Sequence, residues 1–232
     1  MGGFIEFIQQ EFVHALPILV CGAFGVAIII ERVRALYLTY PIRDPQAFFD
    51  KLSELVMGGR MTDAIAFCDR FQGQWTARVA KVGLLRAHQP EKLLEHGLEL
   101  EVGKATQAIQ KRTTFLGTIA NVATLLGLFG TIAGLIHSFE AVGHADAQQK
   151  SALLAAGIST AMNATMLGLA VAIPCLIAFS VLMNKSNRLV AEIEQGAINT
   201  ADIVKQRYYA GESTSSEVIG VGEEVEIKRK VA

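Results

Sequence analysis

The chain has 232 residues, 51% of them hydrophobic, with a formal net charge of −1. A neutral total by itself says nothing about nucleic acid, and no nucleic-acid partner is expected. Its three cysteines, Cys21, Cys68 and Cys175, show neither paired nor ligand-type spacing, which excludes a disulfide framework and a thiolate metal site.

Taken in order, residues 1–11 are a short stretch with acids and no cation, followed by a first apolar span over 12–34. No positive leader region or small-residue cleavage site accompanies this span, so it is expected to stay as a membrane anchor. It carries His14 and Pro17 and ends in Glu31, Arg32 and Arg34, with Tyr37 and Tyr40 following where aromatic residues meet headgroups. Of the 21 Lys and Arg residues none precedes Arg32. Thirteen lie from Arg32 to Arg112, one is Lys150, and seven lie from Lys185 onward. Cations collect on the cytoplasmic side of a membrane, so the N-terminus is expected outside and the C-terminus inside, with three crossings.

Residues 35–114 read as a cytoplasmic helical region. Asp44 before Pro45 has the pattern of an N-cap with proline at the first helical position, and Gly58-Gly59 that of a stop. Shorter helices are expected over 62–71 and 75–88. Asp63, Asp69 and Arg70 would form their charged face, and Phe71 and Trp75 their core. From Pro90 a stripe of Leu94, Leu98, Val102, Ala105, Ile109 and Leu116 repeats every three or four residues. It predicts one unbroken helix running into the second span.

The second span (115–136) and third span (152–184) organise the chain. Residues 115–136 and 153–183 hold no Asp, Glu, Lys, Arg or His, and each is long enough to cross a bilayer, which takes about 20 residues. Both are rich in small and hydroxylated residues that a lipid-facing surface does not need. Gly127, Gly130 and Gly134 make a GxxxG face on one. Gly157, Ala161, Ala164, Gly168 and Ala172 share a face on the other. Small residues let helix backbones approach closely, so these faces are expected to pack, within one subunit or between subunits. Thr131, Thr160, Asn163 and Thr165 lie near mid-membrane, where polar groups need partners. They suit either a hydrogen-bonded seam or a wet path. An ion path normally requires a titratable group. Neither of these two spans has one, so any carboxylate on the route must come from another polypeptide.

Between these spans, the outer loop 137–151 holds His137, Glu140, His144 and Asp146. They lack firm ligand spacing, and solvated loop residues are the expected reading. After the third span the helical pattern continues through Leu189, Ile193, Ile198 and Val204, giving a cytoplasmic helix over 185–210. The polar tail at 211–232 has a composition expected to be mobile. No phosphate-binding loop and no Ser-His-Asp or Cys-His set is present, so no enzyme activity, cofactor or metal is expected.

Two stretches carry a resemblance. Gly127-Leu-Phe-Gly-Thr-Ile-Ala-Gly-Leu-Ile-His-Ser-Phe139 resembles the second-span motif of the MotA/TolQ/ExbB proton-channel family. Ala156-Gly-Ile-Ser-Thr-Ala-Met-Asn-Ala-Thr-Met-Leu-Gly-Leu-Ala-Val-Ala-Ile-Pro174 resembles its third-span motif. Glu31-Arg32 and the three-span layout are similar to the TolQ and ExbB branch. The resemblance implies an all-α homopentamer around a central pore. Through that pore pass two single-span partners of the ExbD, TolR or MotB kind, each carrying an Asp. Proton flow, or possible sodium flow in its place, would drive rotation and do work on the envelope through a TonB- or TolA-like or gliding-machinery partner. By motif position Thr131 and Thr165 match the pore threonines and Pro174 the third-span proline. Where ExbB and TolQ usually carry a third-span Glu this chain has Thr160, and Asn163 replaces an apolar neighbour, a hydroxyl-lined pattern also in keeping with gliding-motility relatives. The alternatives are a self-contained ion channel, which should carry an intramembrane charge or broken repeats, and a passive membrane scaffold.

Overall fold

The computed structural model describes residues 12–42 and 44–231, with side-chain surroundings for 15–42 and 44–210. The segment 1–11, the side chain of His14 and the side chains of the tail lie outside the described residues. Seven α-helices and no strand occur among the described residues: α1 (Phe12–Arg34), α2 (Pro45–Met57), α3 (Met61–Asp69), α4 (Trp75–Leu85), α5 (Glu91–Gln110), α6 (Thr113–His144) and α7 (Lys150–Val231). A π-helical turn, Ala35–Thr39, extends α1; nothing in the composition of that segment announces it. Three stretches, within 15–39, 91–144 and 150–210, are long and apolar enough to cross a membrane.

The chain forms two compact units. One comprises α1, α6 and the first part of α7. Ala15 and Ile18 of α1 pack on Ala164 and Leu167 of α7, and a methyl group on Gly22 would touch Val171 at 3.1 Å. Rising residue numbers on α1 therefore meet rising numbers on α7, so these two helices run parallel. Ala120 and Ala123 of α6 complete the core against Ala172 and Cys175.

The second unit comprises α2 to α4, α5 as far as Ala108, and α7 from Asn187; Ile109 and Gln110, which end α5, belong with α1 and α6 in the first. Asp44 caps α2 as its sequence predicts, its Oδ1 accepting from the Ala47 N–H at 3.1 Å, with Pro45 at the first helical position. The stop at Gly58-Gly59 places Gly59 at φ +74, a left-handed conformation that costs glycine little. Phe48, Phe49, Phe67 and Phe71 form an aromatic cluster with centroids 5.2–5.5 Å apart. Cys68 lies on the buried face of α3, and desolvation pushes its thiol up to about 12, so it behaves as a small apolar residue. Asp69 pairs with Lys81 at 2.5 Å. Leu189, Ile193 and Val204 are buried as their spacing predicts, but Ile198 is exposed. The buried face of α7 passes through Ala197 and Ala201, and Ile198 is one residue, about 100°, past it.

The unbroken helix expected from Pro90 into the second span is not observed. It divides at Lys111-Arg112, with α5 ending at Gln110 and α6 beginning at Thr113. The stripe that predicts continuity is real, since Leu94, Leu98, Ala105, Ile109 and Leu116 are all buried. At the break the Ile109 carbonyl has a partner distant in sequence, the Arg32 guanidinium, which donates to it at 3.1 Å. In a continuous helix that oxygen would accept from the N–H four residues on. The helix limits elsewhere also exceed the compositional boundaries: α6 continues eight residues beyond 136 and α7 continues past 210.

Glycine positions differ in what they permit. A methyl group on Gly103 of α5 meets nothing within 4 Å. Gly103→Ala is expected to stabilise the protein by about 0.5–1 kcal/mol through helix propensity alone, read as a raised melting temperature in detergent.

Candidate functional site

α6 and α7 meet backbone to backbone along their small residues. A methyl group on Gly127 would lie 3.1 Å from Gly168 Cα, one on Gly130 2.7 Å from Ala164 Cβ, and one on Gly134 3.3 Å from Ala161. A methyl group on Gly157 would fall on Ser138. Each turn up α6 thus steps one turn back down α7, and the helices are antiparallel. At the closest point a methyl group on Gly168 would lie 2.7 Å from the Ala123 carbonyl oxygen and 2.9 Å from Gly127 Cα. The predicted faces, Gly127-Gly130-Gly134 and Gly157-Ala161-Ala164-Gly168, therefore meet within one subunit.

This register locates the polar residues. Gly130 faces Ala164, and Thr131 and Thr165 each follow their contact residue by one position, a turn of about 100°. Because the helices are antiparallel and both right-handed, that step brings the two threonines to the same edge of the seam at the same level. Thr124 lies on that edge about two turns away. The Thr131 hydroxyl donates to the Leu128 carbonyl at 2.6 Å, Thr124 to Ala120 at 3.0 Å, and Thr165 across the seam to Gly127 at 3.3 Å. With their protons on backbone carbonyls, the hydroxyls keep lone pairs available as acceptors.

Thr160 and Asn163 are elsewhere. Asn163 precedes Ala164 by one residue, so it is turned from Thr165 by about 160°. Its flank is the one that carries Leu167 towards α1. Both side chains are half-buried. Pro174 sits on that flank too, exposed within α7. It has no N–H to give the carbonyl four residues earlier, that of Ala170. The four polar residues read as one ion path thus form two pairs on opposite edges of α7. Only Thr131 and Thr165 share an edge with α6.

Outside the spans, His137 and Glu140 are exposed and 3.6 Å apart. One arrangement has no local signature in the sequence. Arg32 is buried, its guanidinium holding Glu31 at 2.9 and 3.2 Å as well as the Ile109 carbonyl, while Glu31 also reaches Arg112 at 3.1 Å. Partners some 80 residues apart are invisible to spacing rules. The available hint is a charged pair closing an apolar span.

Several known proteins are similar to this chain. The Tol-Pal system protein TolQ of Haemophilus influenzae is 28% identical over 214 residues, covering 84% of this chain and 89% of that protein. The biopolymer transport protein exbB1 of Vibrio cholerae is 23% identical, with 80% of this chain and 82% of that protein aligned. The biopolymer transport protein ExbB of Helicobacter pylori reaches 40% identity over a shorter stretch, 35% of this chain and 55% of that protein. The solved structure of C. jejuni MotAB superposes with a TM-score of 0.49 at 12% identity, covering 85% of this chain and 79% of that one. Residues 72–195, which include the whole α6–α7 seam and both of its threonines, match the sequence pattern of one family. The chain belongs to the MotA/TolQ/ExbB proton channel family.

Proposed function

We propose that this chain is the pore-forming stator subunit of an ion-driven complex in the bacterial inner membrane. Five copies surround two single-span partner helices of the ExbD, TolR or MotB kind, each carrying an Asp. The observation that carries this reading is the shared edge of Thr131 and Thr165 on two spans that hold no titratable residue. Thr131 and Thr165 are the residues that face the partner Asp; Thr160 and Asn163 line a second flank of α7.

The chemistry follows from the hydroxyl orientations. A charged carboxylate facing lipid costs about 2.5–3.5 kcal/mol on insertion scales, and hydroxyl groups with water relieve that cost. While Thr131 and Thr165 donate to backbone carbonyls, they present acceptors, which suit the protonated acid as donor. After the Asp loses its proton, rotation of either hydroxyl turns its own proton to the carboxylate. One pair of side chains can therefore serve both protonation states. Each charge moved across the membrane is worth about 2.3 kcal/mol per 100 mV. Two helices inside a ring of five cannot be equally satisfied at once, so contacts alternate and the ring steps around them. The load is a TonB- or TolA-like transport system or gliding machinery, and the current is of protons or of sodium. With the N-terminus outside, the cation-rich second unit is cytoplasmic.

The test is native mass spectrometry of the complex purified from its own membrane through a C-terminal tag. Five copies with two smaller single-span chains are expected. A monomer or dimer free of partners would sink the rotary reading, and the scaffold would take its place.

A further inference from the structure

The glycine seam explains how α6 and α7 approach, but not what holds them in register. At Gly127, Gly130 and Gly134 α6 offers no side chain to interlock with α7. A slip of one residue moves α6 by about 1.5 Å and turns it by about 100°, which would carry Thr131 off the edge it shares with Thr165. Something must fix α6 along its axis. At one end Ser138 occupies the notch left by Gly157, its hydroxyl donating to the Gly134 carbonyl at 2.6 Å. At the other end stands the cluster of Glu31, Arg32, Ile109 and Arg112.

Arg32 is 3% exposed. A guanidinium so deeply buried persists only where its donors are used, and here they are: two on Glu31 and one on the Ile109 carbonyl. Ile109 lies in the last turn of α5, where carbonyls lack partners within the helix and the negative end of the helix dipole favours a cation. Glu31 extends the connection to Arg112, the residue immediately before α6. Thr113, the first residue of α6, is fully buried, and its hydroxyl has no partner. The start of α6 is therefore packed in place as well as tied.

We propose that Arg32 is a positioning residue for the second span: its buried guanidinium caps the end of α5 and fixes the height at which α6 begins. Thr131, 18 residues into α6, is held about 27 Å away along that axis. The link to Thr131 rests on the function proposed above, whereas the cap at Ile109 does not.

Hydrogen exchange by mass spectrometry on the intact complex in nanodiscs, together with ion flux after reconstitution in vesicles, tests both parts. Arg32→Gln is expected to speed exchange of amides 111–117 by about ten- to a hundredfold, the value of a hydrogen bond to a charged group, with amides 157–168 unchanged. Arg32→Lys should be intermediate, because a single ammonium lacks the fork that spans carboxylate and carbonyl together. Arg112→Ala, which removes only the exposed arm, should change exchange less than about threefold. Flux should fall in the same order. Exchange at 111–117 equal to wild type in both Arg32 variants overturns the cap, as does a uniform rise through α1, α6 and α7. If Arg32→Gln does not accumulate, the same comparison is made with Arg32→Lys. Faster local exchange with undiminished flux overturns the positioning role. Wild-type flux in Thr131→Val and Thr165→Val, with the exchange pattern as expected, removes the functional reading and leaves the cap standing.

Discussion

Gly168→Ala is expected to destabilise the membrane unit by about 1–3 kcal/mol, the usual cost of overpacking, although alanine is the better helix former. The added methyl group would meet the Ala123 carbonyl oxygen at 2.7 Å and Gly127 Cα at 2.9 Å. Both are backbone atoms of a helix, so no rotamer change can relieve the contact and the helices must separate. Separation then loosens every contact along the seam, including the Thr165 bond to Gly127, already 3.3 Å long. Gly117→Ala is the matched control. Its methyl group meets only the Phe179 ring, at 3.7 Å, an ordinary contact, so its stability should stay within about 0.5 kcal/mol of wild type. Unfolding in mixed micelles as the denaturing detergent fraction rises would read both. Equal stability of Gly168→Ala and wild type would mean that backbone approach at Gly127–Gly168 does not hold the two spans together.

Thr131→Val and Thr165→Val are each expected to lower ion-coupled flux by about ten- to a hundredfold while the complex still assembles. That range is the worth of one hydrogen bond to a charged group, about 1.5–3 kcal/mol. Assembly should survive because valine preserves the shape of threonine. The lost bond is also weak: Thr131 donates within its own helix and Thr165 across the seam at 3.3 Å, and interhelical hydrogen bonds in membranes contribute only about 0.6 kcal/mol on average. Serine at either position keeps the hydroxyl and should retain most of the flux. Thr160→Val and Asn163→Leu act on the other flank of α7 and should lower flux less. Proton-dependent dye quenching in reconstituted vesicles, with assembly checked by native mass, separates the cases. Wild-type flux in both valine variants, with arrest in Thr160→Val or Asn163→Leu, would move the ion path to the α1 side of α7.

Much of the architecture is legible without coordinates because the bilayer imposes length and composition on whatever crosses it. The capped start at Asp44-Pro45 and the stop at Gly58-Gly59 are local features that appear in the structure where the sequence places them, and each apolar span falls in a helix long and apolar enough to cross a membrane. The small-residue faces are equally local, since a period of three or four residues defines a helical stripe. The division of the polar residues was not legible. Asn163 and Thr165 must point to opposite sides of any helix, but only the contact of Ala164 with Gly130 shows which of the two shares an edge with Thr131. The break at Lys111-Arg112 was hidden for a different reason. The periodic stripe of α5 and α6 is continuous across it, and the side chain that meets the Ile109 carbonyl there, Arg32, lies on α1.

The sequence by itself therefore determined the class of protein, the three stretches apolar enough to cross a membrane, the faces that pack and the absence of a titratable group from the second and third spans. Each depends on composition or on spacing within one helix. The tertiary structure alone decided which threonines share an edge, where α6 begins and what Arg32 holds. These depend on helix register, and register is set by contacts between residues 19 to 81 positions apart, beyond the reach of any local pattern.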